Sequence, residues 1–308
     1  MKDLLCCFAF LCCLAIPAQN EKYASQDIAI NKHIDGTLLT PVSSEDSELA
    51  IIIAGSGPTD RNGNQNFMQN NALKKLAESL SEAGIATFRY DKRIVKQIRM
   101  NNVDPNMTFD DFIDDAISVV DYFKNDGTYT KVYVIGHSQG SLVGMLATKD
   151  RADGFISLAG AGQTIDGVII DQVGTMDPSL VEPTKKAFTQ MKEGQTVLDY
   201  PQALTSIFRA DLQPFIRNWM QYDPQSLLKE LEVPTLIVNG TKDLQVSVDE
   251  AKRLKSASQS AELVLIENMN HVLFIIEGGQ LENSKSYNEA FRNISEELVT
   301  SITTFIKD

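Results

Sequence analysis

Six short stretches set the architecture: LAIIIA (49–54), IATFRY (85–90), KVYVIG (131–136), GFISLAGA (154–161), VPTLIVNG (233–240) and AELVLIEN (261–268). Each is too uniformly apolar to keep one face in water, which is the pattern of strands buried on both sides. Between several of them lie stretches with apolar residues at helical spacing. NALKKLAESLSEAG (71–84) is one. FDDFIDDAISVVDYFKN (109–125) is another, with Phe109, Phe112, Ile113, Ala116, Val119, Val120 and Phe123 on a single stripe. The aspartates of this second helix are then expected on its solvated face. Strand, loop and helix repeating in this order predict an α/β protein, a mostly parallel sheet with helices on both faces. At 308 residues and 43% hydrophobic, the chain can fill one large domain.

Two segments depart from the alternation. Ahead of the first buried strand, DIAINKHI (27–34), Asp35-Gly36 and TLLTPV (37–42) read as an N-terminal β-hairpin turning at the Asp-Gly pair. Between about residues 163 and 231 no comparable strand is found. Polar helical stretches interrupted by Pro178, Pro183, Pro201, Pro214 and Pro224 predict instead an inserted helical cap over the sheet ends. A last helix is expected over about residues 287–306.

The stretch VYVIGHSQGSLVGMLA (132–147) joins a strand pattern to a helix pattern through Gly136-His137-Ser138-Gln139-Gly140. In a parallel sheet such a turn lies at the carboxyl edge, where ligands bind. A serine on a tight strand-to-helix turn needs small neighbours, and Gly136 and Gly140 supply them. The alternative is a glycine turn with an incidental serine. As a nucleophile, Ser138 requires a base, usually a histidine oriented by a carboxylate. The chain has three histidines. His33 lies in the hairpin, and the turn should aim His137 away from Ser138. His271, in the loop after the last strand, remains as the base. Asp243, in VNGTKDLQV after the preceding strand, is the expected carboxylate, with Asp249, Glu250 and Glu267 as rivals. The Gln139 N–H, at a helix start, and the Ser56 N–H, in the loop AGSGPTDRNGN (54–64), are the expected oxyanion donors. A phosphate-cradling role for Gly-Ser-Gly lacks the lysine a P-loop needs.

The net charge of −13 argues against capture of nucleic acid or an anionic membrane surface and leaves a small-molecule substrate. The first eighteen residues, MKDLLCCFAFLCCLAIPA, read as a secretion signal, which predicts a secreted or periplasmic chain of residues 19–308 with no stable membrane insertion after cleavage. Cys6, Cys7, Cys12 and Cys13 all lie inside that segment, so cysteine chemistry is not expected in the mature chain.

Five ordered motifs carry a resemblance: GSGPTDR (55–61), RYDKR (89–93), GHSQG (136–140), GTKD (240–243) and MNH (269–271). With them the chain resembles the bacterial serine α/β-hydrolases of the carboxylesterase type. FRADLQPFIRNWMQYDP (208–224) is similar to that family's cap-to-core junction. Ala54 departs from the histidine that many relatives carry before the glycine. The resemblance implies an α/β-hydrolase fold, acyl-enzyme cleavage of carboxylic esters, often of short acyl chains, and no metal or organic cofactor. A thioesterase or an aminopeptidase-like amide hydrolase would use the same three groups. A non-catalytic binding protein on this fold would not need all of them. RYDKR and Asp60-Arg61 are expected to form ion pairs that hold the loops, and Trp219, Met220 and Tyr222 are candidates for shaping a substrate pocket.

Overall fold

The computed structural model describes residues 22–42 and 48–308; the segment read as a secretion signal, 1–18, lies outside the described residues. Eight strands form one sheet in the order β1-β2-β4-β3-β5-β6-β7-β8. They are β1 (Tyr23–Ala29), β2 (Asp35–Pro41), β3 (Leu49–Ile53), β4 (Ala86–Tyr90), β5 (Val132–His137), β6 (Gly154–Leu158), β7 (Thr235–Gly240) and β8 (Glu262–Ile266). β1 and β2 pair antiparallel with each other, β2 pairs antiparallel with β4, and β3 to β8 run parallel. The chain leaves β3 for β4 on one side and reaches β5 on the other. The sheet therefore has its switch point where β3 and β5 end, and a crevice opens there.

Helices alternate with the strands: α1 (Ala72–Glu82), α2 (Arg93–Arg99), α3 (Asp110–Asp126) and α4 (Gln139–Thr148). Between β6 and β7 run α5 (Ile165–Met176), α6 (Val181–Lys192), α7 (Thr205–Phe208), α8 (Gln213–Trp219) and α9 (Pro224–Lys229). Then follow α10 (Val248–Ala257), α11 (Gln280–Ser286) and α12 (Glu296–Lys307). Period-two geometry sends neighbouring residues of each buried strand to opposite faces. Leu49, Ile51 and Ile53 of β3 pack with α3, α4 and α10, whereas Ala50 and Ile52 pack with α1 and α12. Each fully buried leucine, such as Leu76 and Leu80 of α1, contributes about 1.5–3 kcal/mol to closing a face. The helices between β6 and β7 hold a separate apolar cluster around Phe188, Met191, Phe208 and Met220. Among the described residues no helix is long and apolar enough to cross a membrane.

Four local readings of the sequence change. The hairpin turns at residues 30–34, where the Ile30 N–H donates to the Ile34 carbonyl at 2.9 Å, and Asp35-Gly36 begins β2. Gly36 serves packing there: a Cβ would sit 2.1 Å from the Phe88 ring. The last helix begins at Glu296, because the Ser295 hydroxyl caps the Leu298 N–H at 3.3 Å. Pro178, Pro214 and Pro224 stand in the first turns of their helices, where a missing N–H costs nothing. Asp115 is buried rather than solvated, and binds Arg93 through both carboxylate oxygens at 2.6 and 2.8 Å.

Candidate active site

β5 delivers the chain into the turn at Ser138, and α4 starts at the next residue. Ser138 sits at φ 54°, ψ −121°, a left-handed conformation that a non-glycine residue holds only when its surroundings enforce it. Those surroundings are backbone. A Cβ on Gly136 would meet the Gly140 carbonyl oxygen at 2.2 Å, and one on Gly140 would meet the Ile53 oxygen at 2.4 Å. The Ser138 N–H donates to the Leu158 carbonyl at 2.9 Å, tying the turn to β6.

Beyond β8, the loop carrying His271 is fixed from beneath. Asn270 accepts the Phe274 N–H at 3.0 Å and donates to Asn283 at 2.9 Å and to Ser286 at 2.8 Å. His271 Nδ1–H donates to Asp243 Oδ2 at 2.7 Å, and the Asp243 side chain is fully buried. Asp243 Oδ1 accepts the N–H groups of Gln245 and Val246 at 2.8 and 2.9 Å, which locks the carboxylate. With its proton on Nδ1, the imidazole leaves Nε2 as an acceptor. Of the rival carboxylates, Glu250 binds the Gly162 and Gln163 amides, Asp249 pairs with Lys252, and Glu267 is exposed.

His137 does not turn away from this group. Its Nε2–H donates to the His271 carbonyl at 2.9 Å, and the two rings lie 4.8 Å apart. Burial, then the neighbouring His271, lowers the His137 pKa to about 4. It is a neutral strut under the His271 loop. Sequence position alone gave no sign of this, because the partner is 134 residues away.

Ser138 lies where two cavities meet, with Ser56 and Gln245 also lining both. The larger, about 340 Å³, is lined by Gln65, Asn70, His137, His271 and Tyr287. The smaller, about 210 Å³, is lined by Leu142, Ile165, Val168 and Trp219 among others. The Ser56 and Gln139 N–H groups make no backbone hydrogen bond among the described residues. Met220 is buried among the α6–α8 side chains, and Tyr222 packs on Phe109 and donates to Asp110, so of those three candidates Trp219 alone reaches the cavity.

Of the charged residues in RYDKR, Asp91 and Arg93 form the expected ion pairs, whereas Arg89 and Lys92 pair with no carboxylate among the described residues. Asp91 accepts the Arg61 N–H at 2.8 Å, the Arg61 guanidinium at 3.1 Å and Arg99 at 2.7 Å. Burial alone would raise the Asp91 pKa, but these hydrogen bonds outweigh it and hold the carboxyl below its usual range. Asp60 instead caps its own loop, accepting from Asn62 and Asn64.

A family model described as the alpha/beta hydrolase family matches residues 78–278. The chain belongs to the alpha/beta hydrolase family. The chain is 28% identical over 269 residues to Esterase EstD of Thermotoga maritima, a match covering 84% of the chain but 62% of that protein's length. Among solved structures, it resembles Est1E from Butyrivibrio proteoclasticus with ferulic acid bound (TM-score 0.58, 20% identity, 92% of this chain and 99% of that one). It also resembles a dienelactone hydrolase from Anabaena variabilis (TM-score 0.53, 15% identity, 92% and 96%). At these identities the structural likeness speaks for the fold: an eight-stranded, mostly parallel sheet with helices on both faces and an antiparallel pair at its N-terminal edge.

Proposed function

We propose that this hydrolase cleaves carboxylic esters of small molecules through an acyl-enzyme on Ser138. The reading rests above all on the His271–Asp243 hydrogen bond beside a strained Ser138 that lines the same cavity as the imidazole. Ser138 Oγ attacks the carbonyl carbon while His271 Nε2 takes its proton. Asp243 holds the tautomer and stabilises the imidazolium. The Ser56 and Gln139 N–H groups bind the oxyanion. His271 then returns the proton to the leaving alcohol, and a water activated by the same nitrogen releases the acid. The esterase relative supports the ester class, although the chain spans only 62% of its length.

His271 lines only the larger cavity, and the leaving oxygen must face it to be protonated. The alcohol therefore belongs in the larger cavity. The acyl chain then enters the smaller one, whose volume of about 210 Å³ and apolar lining by Leu142, Val168 and Trp219 suit a short chain. In this reading the helices between β6 and β7 act as a cap that supplies part of that lining. Export of the mature chain, residues 19–308, belongs to the same proposal and rests on the sequence of residues 1–18.

Hydrolysis of nitrophenyl acetate, butyrate and octanoate tests it. Turnover by the wild type, with Ser138→Ala and His271→Ala each losing about 10⁴-fold or more in kcat, is the expected result. A silent wild type, or an active Ser138→Ala, refutes the assignment and moves thioesters and amides ahead.

A further inference from the structure

Lys92 is a buried titratable group packed against the site that the mechanism above does not use. It lies two residues beyond β4, just before α2, and is 5% exposed. Its Nζ donates to the Gly55 carbonyl at 2.9 Å and to Gln139 Oε1 at 2.7 Å, and lies 4.2 Å from the centre of the Phe112 ring. The groups around it are known from every side. Tyr90 comes from β4, Phe112 and Asp115 from α3, Gln139 and Val143 from α4, and Ile53 and Ala54 from the end of β3. No carboxylate pairs with it among the described residues, since Asp115 is taken by Arg93. A buried cation without a counter-ion is costly. A residue chosen for stability alone would be apolar here.

The two acceptors are informative. The Gly55 carbonyl and the Ser56 N–H are opposite ends of one planar trans peptide, so fixing the oxygen fixes the direction of the N–H. A cation on the oxygen also draws charge along the amide and makes the N–H a stronger donor. Gln139 supplies the other N–H, and its side chain is held by the same ammonium.

We propose that Lys92 is a positioning residue for oxyanion stabilisation, orienting the Ser56 and Gln139 amides together and polarising the first. The proposal rests on the serine-hydrolase reading. Burial lowers the Lys92 pKa to about 7. The folded value lies below the ordinary lysine value, so the cation is present below about pH 7 and is lost as pH rises through it. The neutral amine keeps its hydrogen bonds, so the alkaline loss is a step down to a plateau rather than an abolition.

The test is kcat and KM of wild type, Lys92→Met and Gln139→Leu on nitrophenyl butyrate from about pH 6 to about pH 9. For Lys92→Met the expected result is a fall of about 10- to 100-fold in kcat, less than the loss of a whole donor, because the amides remain. KM stays within about threefold, since the interaction operates in the transition state, and the step near pH 7 disappears. Gln139→Leu, which cuts one tether, lowers kcat by a smaller factor and keeps the step. A Lys92→Met enzyme with wild-type kcat, with its loss confined to KM, or with the step intact overturns the proposal while leaving the esterase reading standing. If Lys92→Met does not fold, the other two proteins decide: a flat wild-type profile, or a Gln139→Leu enzyme with wild-type kcat, overturns it. A wild type silent on every ester removes the hydrolase reading, and the proposal falls with it.

Discussion

Burial and the adjacent His271 ring keep His137 neutral down to about pH 4. Its Nε2–H is then always available to the His271 carbonyl. The cost falls on acid stability. The unfolded imidazole takes a proton near 6.5 and the folded one only near 4, so between those values the unfolded chain binds more protons. Stability is complete above about pH 6.5 and declines as pH falls towards 4, by on the order of 3 kcal/mol from this group. Urea midpoints measured across that window should fall with pH in the wild type. His137→Gln, whose amide donates to the same carbonyl without titrating, should show a shallower slope. An equal slope in the two proteins would remove His137 as the source.

At the scale of the element, α3 shows what periodicity records and what it omits. Its stripe of Phe109, Phe112, Ile113, Ala116, Val119, Val120 and Phe123 is buried as the spacing predicts. Its aspartates are a different matter, because a carboxylate at a helical position carries no sign of a partner elsewhere. Asp115 meets Arg93 at the start of α2, and Asp110 meets Asn218 and Tyr222 beyond the sheet. Asp115→Ala should therefore cost about 3 kcal/mol in urea unfolding, since it removes two of the three carboxylate hydrogen bonds to a guanidinium that is only 12% exposed and leaves it Asp111 alone. Asp111→Ala, at a half-buried partner of the same Arg93, should cost about 1 kcal/mol or less. Equal losses would mean that burial does not distinguish the two pairs. The same blindness to distant partners explains the other differences. The parallel strands β3 to β7 were legible because two-sided burial writes a continuous apolar run, whereas β8, with the same apolar composition, is an edge strand with Glu262 and Leu265 exposed. The hairpin turn was misplaced because Asp35-Gly36 has turn composition, while Gly36 in fact clears space for Phe88. The seven-residue α2 is too short for its apolar residues, Ile94, Val95 and Ile98, to establish a helical period. In the site, Ser138, Asp243 and His271 could be chosen from position at strand ends, whereas Lys92, His137 and Asn270 act through contacts that only the fold creates.

For the molecule as a whole, the sheet and the helices between β6 and β7 share the work at Ser138. The sheet's carboxyl edge supplies the serine, His271 and Asp243. The inserted helices supply a wall of the smaller cavity through Ile165, Val168 and Trp219. Trp219 is held in place from the sheet side, stacked on Phe109 of the α3 N-terminus with centroids 5.1 Å apart and planes 4° from parallel. In the proposed reading, the reach of an acyl chain is thus set by a contact between the two parts. Trp219→Leu shortens that wall while keeping an apolar face on Phe109. If the acyl group occupies the smaller cavity, the ratio of kcat/KM for nitrophenyl octanoate to that for the acetate should rise about 10-fold or more, because each methylene newly admitted to an apolar pocket is worth about 1–3 kcal/mol. Acetate itself, too short to touch the wall, should keep its wild-type kcat. An unchanged ratio in a folded variant would instead put the acyl chain in the cavity lined by Gln65 and Asn70. That result would overturn the assignment of the alcohol to the larger cavity and of the acyl chain to the smaller one.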